Sequence, residues 1–108
     1  MARTRKIRKD CNYLIYEAVD ENGMNYIGLT RKSQPSERKV LAERWRKHLS
    51  RARNENRDWV LYQYLRSGGL DFTWTHRVLA VIRGRAEAYA YERELVKALD
   101  PALNDQYR

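Results

Sequence analysis

Three polar residues with catalytic potential occur on segments that have a helical pattern. In "RAEAYAYERELVKAL" (85–99), a helical wheel at about 100° per residue places Glu92 inside an apolar arc. That arc is formed by Ala88, Tyr91, Leu95, Ala98 and Leu99. A carboxylate that faces a core is costly unless it is paired, protonated or bound to a metal. The two interpretations are therefore a structural ion pair with an arginine, or a metal-binding or catalytic carboxylate at the rim of a cleft.

A second helical segment, from about Ser36 to Asn54, carries an arginine and a histidine in a comparable position. Its apolar arc consists of Leu41, Ala42, Trp45, Leu49 and Ala52. Arg44 and His48 lie four residues apart along one edge of this arc, with Arg51 beside them. Snorkelling over the core is the common role of such residues. Combined with a carboxylate on another helix, however, an arginine and a histidine suit the chemistry of a phosphate.

The stretch "NYIGLT" (25–30) raises a different question, because glycine is disfavoured inside strands. If the preceding turn were Asn22-Gly23 alone, Tyr16 and Tyr26 would lie on opposite faces of a hairpin. A three-residue loop with a left-handed Gly23 pairs Tyr16 with Gly28 instead, so that both tyrosines share a face. In the second arrangement, Gly28 leaves room beside Tyr16.

These residues need a scaffold, and the pattern along the chain predicts six elements. Strands are indicated over 11–19, 24–30 and 72–82, and helices from about 36 to 54, 57 to 66 and 85 to 99. Gly68-Gly69 and Asp100-Pro101 are expected to end the last two helices. The order β-β-α-α-β-α predicts an α/β (α+β) fold, with a small antiparallel sheet flanked by helices. Apolar residues point both ways in "YLIY", so both faces of the sheet should be covered.

Composition and charge restrict the class of protein. The 108 residues fit one domain, predicted as 11–108 and preceded by a basic arm over 1–10. A single cysteine excludes an intrachain disulfide and predicts a reducing, cytoplasmic setting. No apolar run is long enough to cross a membrane. The net charge of +8 is concentrated in the arm and between Arg31 and Arg57, which indicates a polyanionic partner, usually nucleic acid.

Five fragments, taken in order, resemble the GIY-YIG nuclease domain from about Tyr13 to Asn104. They are "LIY" (14–16), "YIG" (26–28), "ERWRKH" (43–48), "YERELV" (91–96) and "PALN" (101–104). The resemblance implies the three-stranded antiparallel fold predicted above. It also implies hydrolysis of phosphodiesters with one divalent metal, Mg²⁺ or Mn²⁺. Two positions depart from the family pattern, Leu14 and Leu95, and neither removes a chemical group.

The resemblance also implies roles for individual residues. Glu92 would bind the metal, Arg44 would stabilise charge on the phosphate, and Tyr26 would take a proton from the attacking water. Tyr16 would be the partner of Tyr26, His48 would assist a tyrosine or contact the phosphate, and Asn104 would organise the site. Substrate contacts are expected from Gly28, Arg31, Lys32, Lys47 and Arg51.

The resulting prediction is a metal-dependent endonuclease that acts on DNA as a monomer or weak homodimer, in the host cytoplasm if a phage encodes it. RNA remains an alternative substrate. A non-catalytic nucleic-acid-binding module on the same scaffold is the alternative function. Core packing is expected for Trp45 and Trp74 rather than base stacking, whereas Trp59 is left open.

Overall fold

The computed structural model describes residues 11–55 and 59–104, so the predicted basic arm over 1–10 lies outside the described residues. Three strands form one antiparallel sheet in the order β2-β1-β3, which confirms the predicted fold class and element order. The elements are β1 (Asn12–Asp20), β2 (Asn25–Arg31), α1 (Glu37–Asn54), α2 (Val60–Arg66), β3 (Trp74–Arg83) and α3 (Arg85–Leu99). A 3-10 turn over Gly69–Asp71 follows α2, and β3 begins at Trp74, two residues later than predicted. None of the described helices combines the length and apolar character that crossing a bilayer requires.

The β1–β2 hairpin adopts the longer of the two predicted loops. Tyr16 pairs with Gly28 and Ala18 pairs with Tyr26, so the two tyrosines share one face of the sheet. Gly23 supplies the positive φ of +84° that this turn requires. Asp20 holds the turn together, because its Oδ1 accepts from the backbone N–H of Asn22 and of Met24, each at 2.9 Å.

Both faces of β1 are buried, as expected from its apolar residues on alternating sides. Tyr16 and Leu14 pack with Val40 and Leu41 of α1. Ala18, on the same side of the strand, joins the core that α1 forms with α2. The opposite face presents Ile15 and Ile27, which cluster with Val96 of α3. The tyrosines therefore lie on the side of the sheet that α1 and α2 cover.

The ends of α1 and α3 follow from local chemistry. Ser36 caps α1, with its Oγ accepting from the backbone N–H of Lys39 at 3.3 Å. Asp100 ends α3 in the left-handed region at φ +47°, directly before Pro101. A residue that precedes proline is disfavoured in the right-handed helical region, and aspartate tolerates the left-handed one. The end of α3 lies where the sequence predicts it.

The buried side of α3 differs from the predicted apolar arc. Ala88, Glu92 and Val96 are buried, whereas Tyr91 and Leu99 are 44% and 53% exposed. A helical wheel gives the angles between side chains but not the rotation of the helix about its own axis, which its contact with the sheet sets. That rotation places Glu92 in the middle of the buried side. In α1 the same effect turns His48 from the expected edge into the fully buried side.

Candidate active site

The centre of the site is a chain of three buried polar side chains that come from three different elements. His48 Nε2 lies 3.0 Å from the hydroxyl of Tyr16, and His48 Nδ1 lies 2.9 Å from the hydroxyl of Tyr62. These residues belong to α1, β1 and α2, and all three are almost completely buried. Buried polar groups are hydrogen-bonded in nearly all folded proteins, and here the three satisfy one another.

Burial and neighbouring cations keep His48 neutral. Burial, together with the positive charges of Arg44 and Arg51 and the nearby His76, lowers the pKa of His48 to about 3. Both ring nitrogens are already bonded to tyrosines. Of the two roles predicted for His48, this geometry is compatible with support of a tyrosine and leaves no ring nitrogen for a phosphate.

Gly28 is the position where the tyrosine fits against the sheet. A Cβ atom at Gly28 would lie 2.5 Å from Cζ and Oη of Tyr16, and 2.8 Å from Cε2 of Tyr26. Real Cβ atoms do not approach neighbours so closely, so the ring of Tyr16 occupies the space that any side chain would need. The absence of a side chain at Gly28 therefore leaves the space in which the Tyr16 ring lies next to β2 with its hydroxyl bonded to His48.

Tyr16 and Tyr26 form a pair of rings, with centroids 6.3 Å apart. Burial raises the pKa of Tyr16 and of Tyr26 well above the ordinary value of a phenol. The charge of Arg44 opposes the shift at both residues, while that of Glu92 adds to it. Both phenols are therefore protonated at neutral pH. The Tyr26 hydroxyl makes no hydrogen bond with residues 11–55 and 59–104, in contrast to that of Tyr16.

Arg44 belongs to α1, and its positive charge acts on the hydroxyl of Tyr16. Its Nε is buried and has no hydrogen-bond partner among the residues that the structure describes. A buried donor without an acceptor is rare, since the cost of leaving it unsatisfied is about 1–3 kcal/mol. An anion bound beside Tyr16 would satisfy this nitrogen.

Glu92 lies on the sheet side of α3, 8% exposed, and its charge reaches both tyrosines. Within the described ranges, no three His, Cys, Asp or Glu residues cluster in a way that could hold a metal by themselves. Mg²⁺ needs no such cluster, because it keeps several waters and binds through one or two carboxylates together with substrate phosphates. A single buried carboxylate such as that of Glu92 is compatible with this mode of binding.

Asn104 closes the outer edge of the sheet beside the tyrosines. Its Oδ1 accepts from the backbone N–H of Ile27 and its Nδ2 donates to the carbonyl of Ile27, both at 2.8 Å. Ile27 stands between Tyr26 and Gly28, and its backbone groups face away from β1. Asn104 thus substitutes for the missing neighbouring strand at the point where β2 carries the site.

The predicted substrate-contact residues lie at different depths. Arg31, at the end of β2, and Lys47, on α1, are exposed. Lys32 is 3.8 Å from a carboxylate oxygen of Glu37. Arg51 is half-buried, and its positive charge contributes to the lowered pKa of His48. Only Arg51 of these four cations therefore belongs to the inner site, whereas Arg31 and Lys47 face solvent.

The sequence did not identify Tyr62. It lies in "VLYQYL" (60–65), where an aromatic residue indicates ordinary core packing. Nothing in the sequence indicates that its hydroxyl bonds His48 of another helix. Core packing predicted for Trp45 is confirmed, since it is buried and its ring centroid lies 4.8 Å from that of His76. Trp74 is half-buried and packs against Trp45 at 4.9 Å. Trp59 stacks on Tyr62 with centroids 5.1 Å apart.

Comparison with protein-family models gives no match, and neither does comparison with curated proteins or with solved structures. The resemblance to the GIY-YIG nucleases therefore stays a prediction that rests on the five sequence fragments. The geometry of the site stands independently of it.

Proposed function

We propose that this chain is a divalent-metal-dependent endonuclease that hydrolyses phosphodiester bonds of DNA. The observation that carries the proposal is the buried Nε of Arg44, which has no partner among the described residues. The charges of Arg44 and of Glu92 both act on Tyr16. Arginine, phenols and one carboxylate are the groups that a phosphoryl-transfer site needs. They come together here from α1, β1, β2 and α3.

In this proposal Arg44 binds the scissile phosphate. Its planar guanidinium presents several donors to phosphate oxygens, and it stays charged at all physiological pH values. In a buried site a preorganised donor stabilises the charge that develops in the transition state more strongly than it would in water.

Tyr16 and Tyr26 orient the attacking water. Both are protonated at neutral pH, so neither is a ready phenolate base, and they act by hydrogen bonds that align the water with the phosphorus atom. The Tyr26 hydroxyl, without a hydrogen bond in the described part of the chain, is available to the water. Mg²⁺ or Mn²⁺ held by Glu92 and the phosphate would supply the acidity that turns the water into a nucleophile.

The positive charge on the exposed side of α1 supports DNA as the substrate. Five cations along α1 are exposed: Arg38, Lys39, Arg46, Lys47 and Arg53. Together with Arg31 they provide contacts to a phosphate backbone without reading its sequence. The same contacts would serve RNA, so RNA belongs in the assay as a competing substrate.

The test is cleavage of supercoiled plasmid in Mg²⁺ by the wild type, Glu92→Gln and Arg44→Ala. We expect each substitution to lower kcat by at least a hundredfold, the usual scale for the loss of one transition-state contact. Glu94→Gln and Arg46→Ala are the matched controls, since these residues lie on the same two helices and are exposed. Arg46→Ala should weaken DNA binding through its phosphate contact and leave kcat at saturating DNA unchanged. Cleavage by Glu92→Gln at the rate of the wild type would contradict the assignment.

The alternative is a nucleic-acid-binding module without catalysis. It is favoured by the absence of a larger metal-binding cluster in the part of the chain that the structure describes. It predicts DNA binding that weakens with salt, no metal-dependent turnover, and the same affinity for Glu92→Gln as for the wild type. The plasmid assay combined with a binding titration separates the two functions.

A further inference from the structure

The hydrogen bonds of His48 determine whether the Tyr16 hydroxyl donates or accepts. Because the imidazole is neutral, one ring nitrogen donates and the other accepts. Tyr16 and Tyr62 therefore have opposite roles, and one of them donates to the ring while the other accepts from it. Which tyrosine donates decides how the oxygen of Tyr16 meets a water or a phosphate.

Arg44 decides the direction at Tyr16. The positive charge of its guanidinium acts on the Tyr16 hydroxyl, and a cation favours the oxygen lone pairs over the hydroxyl hydrogen. If Nε2–H of His48 donated to Tyr16, the hydroxyl hydrogen would point away from the ring and lie in the field of this cation. Tyr62 is in a different environment, because the ring of Trp59 stacks against it with centroids 5.1 Å apart. The electrostatically favoured arrangement therefore has the Tyr16 hydroxyl donating to His48 Nε2 and His48 Nδ1–H donating to the Tyr62 hydroxyl.

We propose that Tyr62 is a positioning residue that acts through His48: by accepting from Nδ1–H it keeps Nε2 as an acceptor and so holds the Tyr16 hydroxyl hydrogen inside the protein. This inference rests on the proposed function, in which Tyr16 faces the water. With its hydrogen directed at Nε2, the Tyr16 oxygen offers lone pairs to Arg44 and to the attacking water. Tyr16 then orients the water as an acceptor, not as a donor.

Removal of the Tyr62 hydroxyl reverses this arrangement. In Tyr62→Phe, Nδ1–H would have no acceptor, which favours the other tautomer, with the proton on Nε2 donating to Tyr16. The Tyr16 hydrogen would then turn toward the substrate side and misalign the water. The metal at Glu92 and the phosphate at Arg44 would be untouched, so kcat should fall while KM and the metal requirement stay the same.

The experiment is nitrogen-resolved NMR of the His48 ring together with cleavage kinetics. The chain has two histidines, so His76→Gln assigns the signals. We expect the wild type to carry its ring proton on Nδ1 and Tyr62→Phe to carry it on Nε2, with kcat reduced about tenfold. Tyr64→Phe is the matched control on the same helix, because the Tyr64 hydroxyl bonds Asp20 and not the histidine. It should change neither the tautomer nor kcat.

A wild-type ring protonated on Nε2 would overturn the proposal, and so would a Tyr62→Phe ring that keeps its proton on Nδ1. The wild-type spectrum decides the direction by itself if Tyr62→Phe fails to fold. If the wild type does not cleave DNA, the proposed function fails, and the two tautomer measurements still decide the role of Tyr62. An equal loss of kcat in Tyr64→Phe would also overturn it, because the effect would then be general to α2.

Discussion

Gly28 shows how one missing side chain determines the local geometry of the site. The ring of Tyr16 crosses β2 through the space above Gly28, and this path brings its hydroxyl to His48. A residue with a Cβ at this position would displace the phenol and break the hydrogen bond. The energetic penalty of glycine in a strand is therefore offset by the hydrogen-bonded chain that it permits.

We expect Gly28→Ala to lower the free energy of unfolding by about 1–3 kcal/mol, the usual cost of overpacking. It should also abolish the effect of Tyr16 on the His48 ring signals and reduce cleavage. Gly23→Ala is the control, since no atom lies within 4 Å of its added Cβ and its positive φ alone causes strain. Loss of stability in both variants with unchanged His48 signals in Gly28→Ala would refute this account.

The neutral His48 makes the stability of the protein depend on pH. Its pKa in the folded state is about 3, below its ordinary value of 6.5. The unfolded chain therefore binds more protons between these values, so the stabilisation is complete above pH 6.5 and is lost as the pH falls. The slope approaches about 1.4 kcal/mol per pH unit inside that window.

Urea unfolding between pH 4.5 and 7 would measure this slope. That range excludes most of the titration of Asp20. Burial tends to raise the pKa of Asp20, but its hydrogen bonds to Tyr64 and to the turn lower the pKa overall. His48→Gln should flatten the profile. His76→Gln should flatten it less, since burial lowers the pKa of His76 too, but at a half-buried position. A His48→Gln profile as steep as that of the wild type would rule out His48 as the source.

At the scale of elements, the chain after α3 acts as a replacement strand for the open edge of β2. Leu103 N–H donates to the carbonyl of Asn25 at 2.9 Å, and Asn104 bonds both backbone groups of Ile27. Open edges are otherwise exposed to fraying or to pairing with other chains. This clamp holds the part of β2 that carries Tyr26 and Gly28.

We expect Asn104→Ala to lower the free energy of unfolding by about 1–3 kcal/mol, since two hydrogen bonds to one backbone unit are lost. Hydrogen exchange should quicken at the Ile27 amide and remain slow at Ile15 in the central strand. Asn54→Ala, at the exposed end of α1, is the control. Unchanged exchange at Ile27 would show that the clamp is not what holds this edge.

At the scale of the whole molecule, the excess positive charge should control binding of DNA. Each lysine or arginine that neutralises a phosphate adds about 0.9 to the slope of the logarithm of affinity against that of salt concentration. We expect Lys47→Ala to reduce this slope by about one and to leave kcat at saturating DNA unchanged. Lys97→Ala is the matched control, because Lys97 is an exposed lysine on α3, away from α1.

Fluorescence anisotropy with a duplex at several salt concentrations would provide the slopes. An equal reduction in Lys47→Ala and Lys97→Ala would contradict a binding surface centred on α1. It would indicate that net charge alone attracts the DNA.

Much of the scaffold could be predicted from local signals. The strands, the hairpin alternatives, the cap at Ser36 and the end of α3 at Asp100-Pro101 depend on interactions between residues close in sequence. The same holds for the unusual positions of Gly28 and Glu92, which the patterns of strand and helix single out. The resemblance added candidate roles, and these await the cleavage assay.

Tertiary structure alone decided how the candidates meet. Sequence spacing does not give the rotation of a helix about its axis, so it placed His48 at an edge and Tyr91 in the buried arc, whereas packing against the sheet buried His48 and exposed Tyr91. Tyr62 reaches His48 from a different helix, a contact that depends on how α1 and α2 pack together. Local chemistry thus determined which residues were unusual, and long-range packing determined which of them touch and how their hydrogen bonds run.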